Sequence, residues 1–274
     1  MQKFIRYLTT ILISVFAVLW LIPLVVVIVN CLKAPKEFVR SQFWQLPKQI
    51  AFLENLQYAW VKAQLGASFF NSVFYGTVGS IVAIVIGALA AFALSALPIK
   101  GRFVWFLIIY SGTVFPFQMY LIPLFRMFNN FSMYDTRFGL CTFYAAVSVP
   151  FCLFVLRNYF STISKEVVEA ARMDGSSDIR IFGQIYLPLA KSPIAVLFLF
   201  QFTWIWNDLL FGLTLSKSPT IRPVMAGVAS LQGIYSGTNM PAVLVAVLIA
   251  SIPTLLLFSL LQRNFMQGLT LVTK

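Results

Sequence analysis

Six apolar runs along the chain are long enough to cross a membrane as helices. They cover residues 11–32, 73–97, 103–125, 138–156, 194–216 and 241–261. A bilayer core about 30 Å thick needs about 20 apolar helical residues, and Asp208 is the one formally charged residue within these runs. The first run has 22 residues, longer than the apolar part of a signal peptide (about 7–15 residues), so we expect it to be retained. The pattern predicts an all-α membrane protein with six transmembrane helices.

The composition agrees with this prediction and narrows the function classes. Hydrophobic residues make up 60% of the 274 positions and charged residues 10%, against about 25% charged in soluble domains. The mean hydropathy is +0.87, and the 16% aromatic content argues against disorder. The net charge of +12 is not gathered into a basic run, which argues against nucleic-acid binding. The chain has no histidine and three scattered cysteines, so neither a metal site nor hydrolase or redox chemistry is indicated.

Basic residues give a weak indication of orientation. Six spans place both termini on one side, and lysine and arginine prefer the cytoplasm. Eleven basic residues lie on the cytoplasmic side if the termini are inside, and nine lie outside, five of them in the long 33–72 connection. We therefore expect cytoplasmic residues 1–10 and 262–274. Pro35 and Pro47 suggest that 33–72 is an ordered extracytoplasmic loop.

The connection 157–193 differs from the rest of the chain, because it holds five basic and four of the eight acidic residues. Ser164 is a plausible N-cap, and Gly175 supplies the left-handed residue that ends a short helix. Ser177 can cap a second short helix, and Pro188 enforces a stop or a kink. The residues alone fit equally well with a projecting two-helix knuckle that meets a partner and with an ordinary solvated connection.

This connection contains Glu169-Ala170-Ala171, then Gly175, then Ile185-Tyr-Leu187-Pro188. It resembles the EAA loop of ABC-importer permeases, which in that family is the coupling helix that sits in a groove of the cytoplasmic ATPase. The resemblance implies a type I ABC importer permease fold, with 73–261 as the permease core and a cytoplasmic coupling loop. The ATPase-coupling residues that it implies are Glu169, Ala170, Ala171, Gly175, Ile185, Leu187 and Pro188.

Segments elsewhere resemble the maltose-permease-like, carbohydrate-uptake branch of this family. They are Glu54-Asn55-Leu56, Asn71-Ser72, Leu121-Ile-Pro123-Leu124, Trp206-Asn207-Asp208 and the stretch from Gln262 to Thr270. The chain departs from the family at its end, where it closes with Leu-Val-Thr-Lys274 instead of the common Gly-Ala-Val-Lys-Gly.

The resemblance implies a permease subunit that carries an oligosaccharide, disaccharide or related glycoside across a prokaryotic plasma or inner membrane. Its implied partners are a homologous second permease, two ATPase subunits and an extracytoplasmic sugar-binding protein. No G-x-x-x-x-G-K-[ST] phosphate-binding loop occurs in the sequence. We therefore expect no enzymatic activity and no cofactor in this chain, with ATP and Mg²⁺ used by the partner ATPase.

A sugar path needs hydrogen-bonding groups and apolar ring faces within the spans. The candidates for the path or its gate are Asn71, Gln118, Tyr120, Gln201, Trp204, Asn207 and Asp208. For any one of them, a role as an interface anchor or a helix-packing residue is the stronger explanation. Asp208 lies 14 residues after Ile194, which places it about 21 Å along the fifth span and toward its outer end.

Two functions of other classes stay open at this point. An ion-coupled secondary carrier needs ionisable groups within the membrane and often shows inverted repeats, and the spans offer one acid and no visible repeat. A non-transporting membrane scaffold would have no need of the motif in 157–193.

Overall fold

The computed structural model of the chain describes residues 2–232 and 239–270, and all regular structure in these residues is helical. The first helices are α1 Gln2–Cys31, α2 Pro35–Arg40, α3 Phe52–Lys62, α4 Leu65–Ala96, α5 Arg102–Tyr110, α6 Leu121–Asn130 and α7 Arg137–Phe160. They are followed by α8 Lys165–Met173, α9 Asp178–Ile181, α10 Leu187–Leu189, α11 Lys191–Asn207, α12 Leu210–Leu215, α13 Val224–Ala229 and α14 Met240–Thr270. The departure from the family pattern at 271–274 lies outside the described residues.

Four of the described helices, α1, α4, α7 and α14, are each long and apolar enough to cross a membrane. Two bent pairs would add one crossing each if each pair is counted as a single span. Arg102–Thr113 meets Phe117–Asn130 at 86°, and Asp178–Leu189 meets Lys191–Asn207 at 75°. Length and composition thus give four to six crossings in the described part of an all-α membrane protein.

The predicted run 103–125 does not form one straight helix. After α5 the chain makes a 3-10 turn at Ser111–Thr113 and another at Phe117–Tyr120 before α6 begins. Pro116, between these turns, has no N–H to donate, so an α-helix cannot continue through it without losing a hydrogen bond. The run therefore bends.

Two other predicted boundaries shift because polar side chains lie inside or between helices. Helix α4 begins at Leu65 instead of residue 73, since Asn71 and Ser72 are buried within it and hydrogen-bonded. The run 194–216 is divided at Asp208, whose extended backbone (ψ 123°) ends α11 before α12 begins.

The chain divides into two compact units, which are described separately. The first comprises 1–66 with 227–251. In it the amide Nδ2 of Asn55 donates to the carbonyls of Cys31 and Lys33 at 3.0 and 2.9 Å, and the buried Lys33 ammonium donates to the carbonyl of Gln42 at 2.9 Å. These bonds satisfy carbonyls at the end of α1 and beyond it, and they order the connection that holds α2 and α3.

The second unit comprises 67–226 with 252–274. Its helices α4 and α7 approach closely where α4 carries glycine. A Cβ atom placed on Gly87 would lie 2.6 Å from Cβ of Cys152 and 3.0 Å from the backbone nitrogen of Leu153. A Cβ on Gly79 would lie 3.2 Å from Cβ of Tyr144. Small residues thus allow the backbones to meet, as is common between membrane helices.

Candidate coupling segment and translocation path

The 157–193 segment forms the two short helices predicted for it, α8 and α9. Gly175 has the predicted left-handed conformation, with φ +78°. The N–H of Gly175 donates to the carbonyl of Arg172 at 3.0 Å, and that of Ser176 donates to the carbonyl of Ala171 at 2.9 Å. This pair of bonds is the Schellman motif, which satisfies the last carbonyls of a helix. The junction between α8 and α9 is therefore a fixed turn.

The two predicted caps differ in detail. The hydroxyl of Ser177 accepts a bond from the N–H of Arg180 at 3.4 Å and caps α9. Ser164 occupies the N-cap position of α8 without a bond to the backbone, and its hydroxyl donates to the carboxylate of Glu166. That bond, more than any other influence, lowers the pKa of Glu166.

One face of this knuckle is exposed and partly apolar. Glu169 and Ala170 are exposed, whereas Ala171 is half-buried against the hydrophobic core of its own chain. Two side chains that the sequence analysis did not select, Met173 and Ile179, are 88% and 85% exposed. Two apolar side chains thus lie exposed on an otherwise polar segment.

Arg172 fastens the knuckle to a long helix. Its Nη2 lies 3.0 Å from Oδ1 of Asp178 and donates to the carbonyl of Ala96 at 3.2 Å. Ala96 is the last residue of α4, where carbonyls lack helical partners and a cation is favourable. Nothing local in the sequence indicates this role of Arg172, because its partner Ala96 is 76 residues away.

Aromatic packing holds the C-terminal part of the segment. A π-helix covers Phe182–Tyr186, and the rings of both end residues pack on Phe92 of α4, with centroids 5.2 and 4.9 Å apart. Tyr186 also packs edge-on against Phe160 of α7 at 5.0 Å. The other predicted positions here are Ile185 and Leu187, both half-buried, and Pro188, which is exposed.

At the other end of α4, polar side chains hold the 216–224 loop. Asn71 is fully buried; its Nδ2 donates to the carbonyls of Thr220 and Arg222 at 2.8 and 3.2 Å, and its Oδ1 accepts from Nε of Arg137 at 3.2 Å. The hydroxyl of Tyr75 donates to the carbonyl of Ile221 at 2.7 Å. The amide of Asn71 is thus committed to holding this loop.

Asp135 holds the same loop from the turn before α7. Its carboxylate accepts from the backbone N–H groups of Lys217 and Ser218 at 2.8 and 2.9 Å and from the Ser218 hydroxyl. Burial opposes ionisation of Asp135, but these bonds outweigh it and lower the pKa below its usual 3.8. The charged form of the carboxylate therefore stabilises the attachment.

We expect Asp135→Asn to lower stability by about 1 kcal/mol at neutral pH, a value discounted for partial exposure. Asparagine tolerates the left-handed backbone of this position (φ +55°), so the change isolates the charge. The pKa of Asp135 is lower in the folded chain than in the unfolded chain, so the ionised carboxylate stabilises the fold. This stabilisation is complete above pH 3.8 and is lost as the pH falls through the lower pKa of the folded state. The melting temperatures of the wild-type chain and of Asp135→Asn, measured across pH, should converge below pH 3.8. A difference that stays constant with pH would contradict a stabilising role of the Asp135 charge.

Asp208 lies in the break between α11 and α12. Its Oδ2 accepts from the hydroxyl of Tyr144 at 2.8 Å and from the N–H of Gly212 at 2.9 Å, and its Oδ1 accepts from the N–H of Phe211 at 3.4 Å. A carboxylate here satisfies free N–H groups in the first turn of α12. The geometry gives Asp208 a helix-capping role with no need of a sugar.

Substitution of Asp208 should separate hydrogen bonding from charge. Asp208→Leu leaves the α12 amides and the Tyr144 hydroxyl without an acceptor, which should cost about 1–3 kcal/mol and impair transport. Asp208→Asn keeps an acceptor and should retain most of the membrane abundance and uptake, because asparagine caps helices about as well as aspartate. Wild-type behaviour of Asp208→Leu, or equal losses in both variants, would contradict the capping role.

Two of the predicted path residues, Gln201 and Trp204, line one cavity of about 290 Å³. The others lie apart from its lining. Gln118 and Asn207 are exposed, and the hydroxyl of Tyr120 donates to the carbonyl of Gly112 at 3.2 Å. The predicted path residues therefore have separate places in the structure. Gln201 and Trp204 line the cavity, Asp208 caps α12, Asn71 holds the 216–224 loop, and Gln118 and Asn207 lie at the surface.

The described residues thus form an all-helical membrane protein with an exposed helical segment held to α4 and a cleft lined by Gln201 and Trp204. Over residues 83–270 the chain matches the family described as binding-protein-dependent transport system inner membrane component. The chain belongs to this family.

Curated relatives and a solved structure extend the likeness over nearly the whole chain. The diacetylchitobiose uptake system permease protein NgcG of Streptomyces coelicolor is 31% identical over 92% of this chain and 83% of its own length. The melibiose/raffinose/stachyose import permease protein MelC of Bacillus subtilis is 30% identical over 95% and 94%. A chain in the crystal structure of a bacterial ABC transporter that imports the acidic polysaccharide alginate superposes with a TM-score of 0.77, at 25% identity, over 96% of this chain and 97% of its own.

Proposed function

We propose that this chain is the membrane-spanning permease subunit of an ATP-driven importer of an oligosaccharide, disaccharide or related glycoside. Membership of the family and the sugar-uptake names of the relatives support the substrate class. The observation that carries the proposal is the 157–193 segment, an exposed knuckle that Arg172 and the ring of Phe92 fasten to α4. Such a contact can pass movement from a soluble partner to a membrane helix.

The complete importer would contain a homologous second permease, two ATPase subunits and an extracytoplasmic sugar-binding protein. The knuckle would face the cytoplasm, which places both termini there as well. The bilayer would be a prokaryotic plasma or inner membrane. Helix α1 is apolar and exposed, and no position of its most apolar 18 residues is buried in the described structure. It would face lipid or the second permease.

In this proposal the chain is not an enzyme. ATP and Mg²⁺ belong to the ATPase partners, because the sequence holds no phosphate-binding loop. The residues that would meet the ATPase are Glu169, Ala170, Met173 and Ile179, while Gly175 sets the angle between α8 and α9. Movement of the knuckle with the closing ATPase would expose the sugar path first to one side of the membrane and then to the other.

Reconstitution of the whole importer tests the proposal. Uptake into proteoliposomes should require the second permease, the binding protein and the ATPase, and should stop on ATP depletion while a proton gradient is held. The chain alone should be poorly stable and should hydrolyse no ATP. Uptake that follows the proton gradient would favour an ion-coupled carrier, and failure to co-purify with an ATPase would favour a scaffold.

We expect Arg172→Leu to reduce uptake by about tenfold or more while the ATPase stays bound and active, because the knuckle loses its bond to the end of α4. The control is Asp178→Asn, which removes the salt bridge and leaves the bond to Ala96. Exposed salt bridges contribute only about 0–1 kcal/mol, so this variant should transport nearly normally. Equal effects of the two changes would contradict a special role of the Ala96 contact.

A further inference from the structure

An open groove of about 580 Å³ lies on the second unit between α4 and α11. The residues that line it recur at helical spacing, at positions 81, 84, 85 and 88 of α4 and at positions 191, 194, 195 and 198 of α11. Residues spaced in this way share one face of a helix. The groove therefore follows two turns of each helix, a length of about 10 Å.

The lining of this groove is apolar except at one position. Phe182 and Leu187, from the segment that leads into α11, complete it, and among the described lining residues Lys191 alone is polar. On the α4 side Ile81 and Val85 are 49% and 51% exposed. Lipid tails are as apolar as these side chains, so a membrane environment offers hydrocarbon to fill the groove.

Lys191 is a cation without a partner in the described part of the chain. It is exposed at the first position of α11, and its ammonium makes no hydrogen bond or ion pair there. No acidic residue occurs in 179–207 or in α4, so neither helix supplies a carboxylate. The helix dipole disfavours a cation at this end of α11. An anion from outside the chain would therefore complement Lys191.

The position of Lys191 matches the charged end of a lipid. The segment Asp178–Leu189 meets α11 at 75°, so it runs nearly along the membrane surface when α11 crosses the bilayer. Lys191 lies at this corner, and the apolar lining extends from it to Phe198, about 10 Å farther along α11. Basic positions at the membrane surface between transmembrane helices attract anionic headgroups.

From these observations we infer that the groove binds one anionic phospholipid, with its phosphate on Lys191 and an acyl chain between α4 and α11. Phe182 lines the groove and also packs on Phe92 of α4, with ring centroids 5.2 Å apart. The lipid thus contacts α4, α11 and the segment that joins the knuckle to α11, and it braces all three. The site itself goes beyond the proposed function, whereas its effect on uptake rests on that function.

Native mass spectrometry of the purified importer measures the lipid directly. The importer is equilibrated with equal amounts of phosphatidylglycerol and phosphatidylcholine, and the ratio of the two bound lipids is determined. Lys191→Gln should lower this ratio about fivefold, the effect of one lysine near a membrane surface, whereas Lys191→Arg should keep it. Lys100→Gln, the same change at an exposed lysine in the turn before α5, is the matched control and should leave the ratio unchanged.

Filling the groove gives a second test that does not depend on charge. Val85→Phe places a ring in the groove and should reduce the retention of both lipids. Val82→Phe is the matched control, because Val82 is 39% exposed on the same helix but does not line the groove. Equal retention of lipid by these two variants would overturn the assignment of the acyl chain to the groove.

Inorganic phosphate and the second permease are the competing occupants. Millimolar inorganic phosphate should leave the bound phosphatidylglycerol in place, because the acyl chain contributes to binding. Displacement by inorganic phosphate would mean that the site takes free phosphate. Weaker co-purification of the second permease with Val85→Phe, at unchanged lipid retention, would mean that a protein helix covers the groove. Either result would overturn the proposal.

Uptake separates the lipid site from the proposed function. The wild-type importer should take up sugar about fivefold faster in phosphatidylcholine vesicles with about one third phosphatidylglycerol than in phosphatidylcholine alone, and Lys191→Gln should lose this difference. Equal uptake by the wild type in both vesicles would overturn the bracing role. ATP-driven uptake without preference for either bound lipid would refute the site and leave the proposed function intact. Selective binding through Lys191 without any ATP-driven uptake would refute the proposed function and leave the site intact.

Discussion

Gly175→Val should abolish sugar uptake while the chain still reaches the membrane in normal amounts. At φ +78° a β-branched residue is a conformational outlier, and the left-handed form costs about 1–2 kcal/mol per residue. A Cβ at this position would meet no atom within 4 Å, so the effect comes from the backbone alone. The strained turn should relax and redirect α9, which changes the surface offered to the ATPase. The measurements are membrane abundance, ATPase co-purification and uptake.

The chain contains a matched control for this change. Gly101, in the turn between α4 and α5, has φ +68°, and a Cβ there would likewise meet no atom within 4 Å. Gly101→Val therefore introduces the same kind of strain outside the 157–193 segment and should leave most of the uptake intact. Gly175→Asn should also retain uptake, because asparagine tolerates the left-handed region. Normal uptake by Gly175→Val at normal abundance would make the 157–193 segment a solvated connection.

Gly87→Val should prevent accumulation of the folded chain. The first added carbon alone would lie 2.6 Å from Cβ of Cys152 and 3.0 Å from the backbone nitrogen of Leu153. These are atoms at the backbone of α7, so no side-chain rotation relieves the clash and the two helices must separate. Overpacking of this kind costs about 1–3 kcal/mol or more, and valine adds two further methyl groups. The measurements are membrane abundance and thermal stability in detergent.

The control for this prediction is Gly112→Ala, whose added Cβ would meet a single atom, on Pro150, at 3.7 Å. That is an ordinary contact, and the variant should accumulate normally. Gly87→Ala should lie between the two, with a lowered melting temperature. Normal stability of Gly87→Val would show that α4 and α7 are not held at the distance described.

The parts of the site that the sequence predicted depend on local signals. The left-handed turn at Gly175 and the cap at Ser177 follow from residues within one helical turn, so the sequence indicates them directly. The Asp208 prediction is of another kind. Asp208 was predicted to lie on the path or its gate, and nothing in the sequence identified Tyr144, 64 residues away, as its hydrogen-bond partner.

The parts that could not be predicted depend on contacts distant in sequence. Asn71 was a candidate for the sugar path, and its bonds to Thr220 and Arg222 span about 150 positions. The bend at Pro116 was not predicted, and the run 103–125 was expected to form one span.

Helix α4 has a firm attachment at each end, to Arg172 through Ala96 and to the 216–224 loop through Asn71. The two points are 25 residues apart, which is about 38 Å of helix. A rigid rod of that length that tilts by roughly 5° about its midpoint moves each end by roughly 1.6 Å, in opposite directions. A displacement of the knuckle that is small on the scale of a side chain is thus enough, by leverage alone, to shift the loop held at the far end of α4.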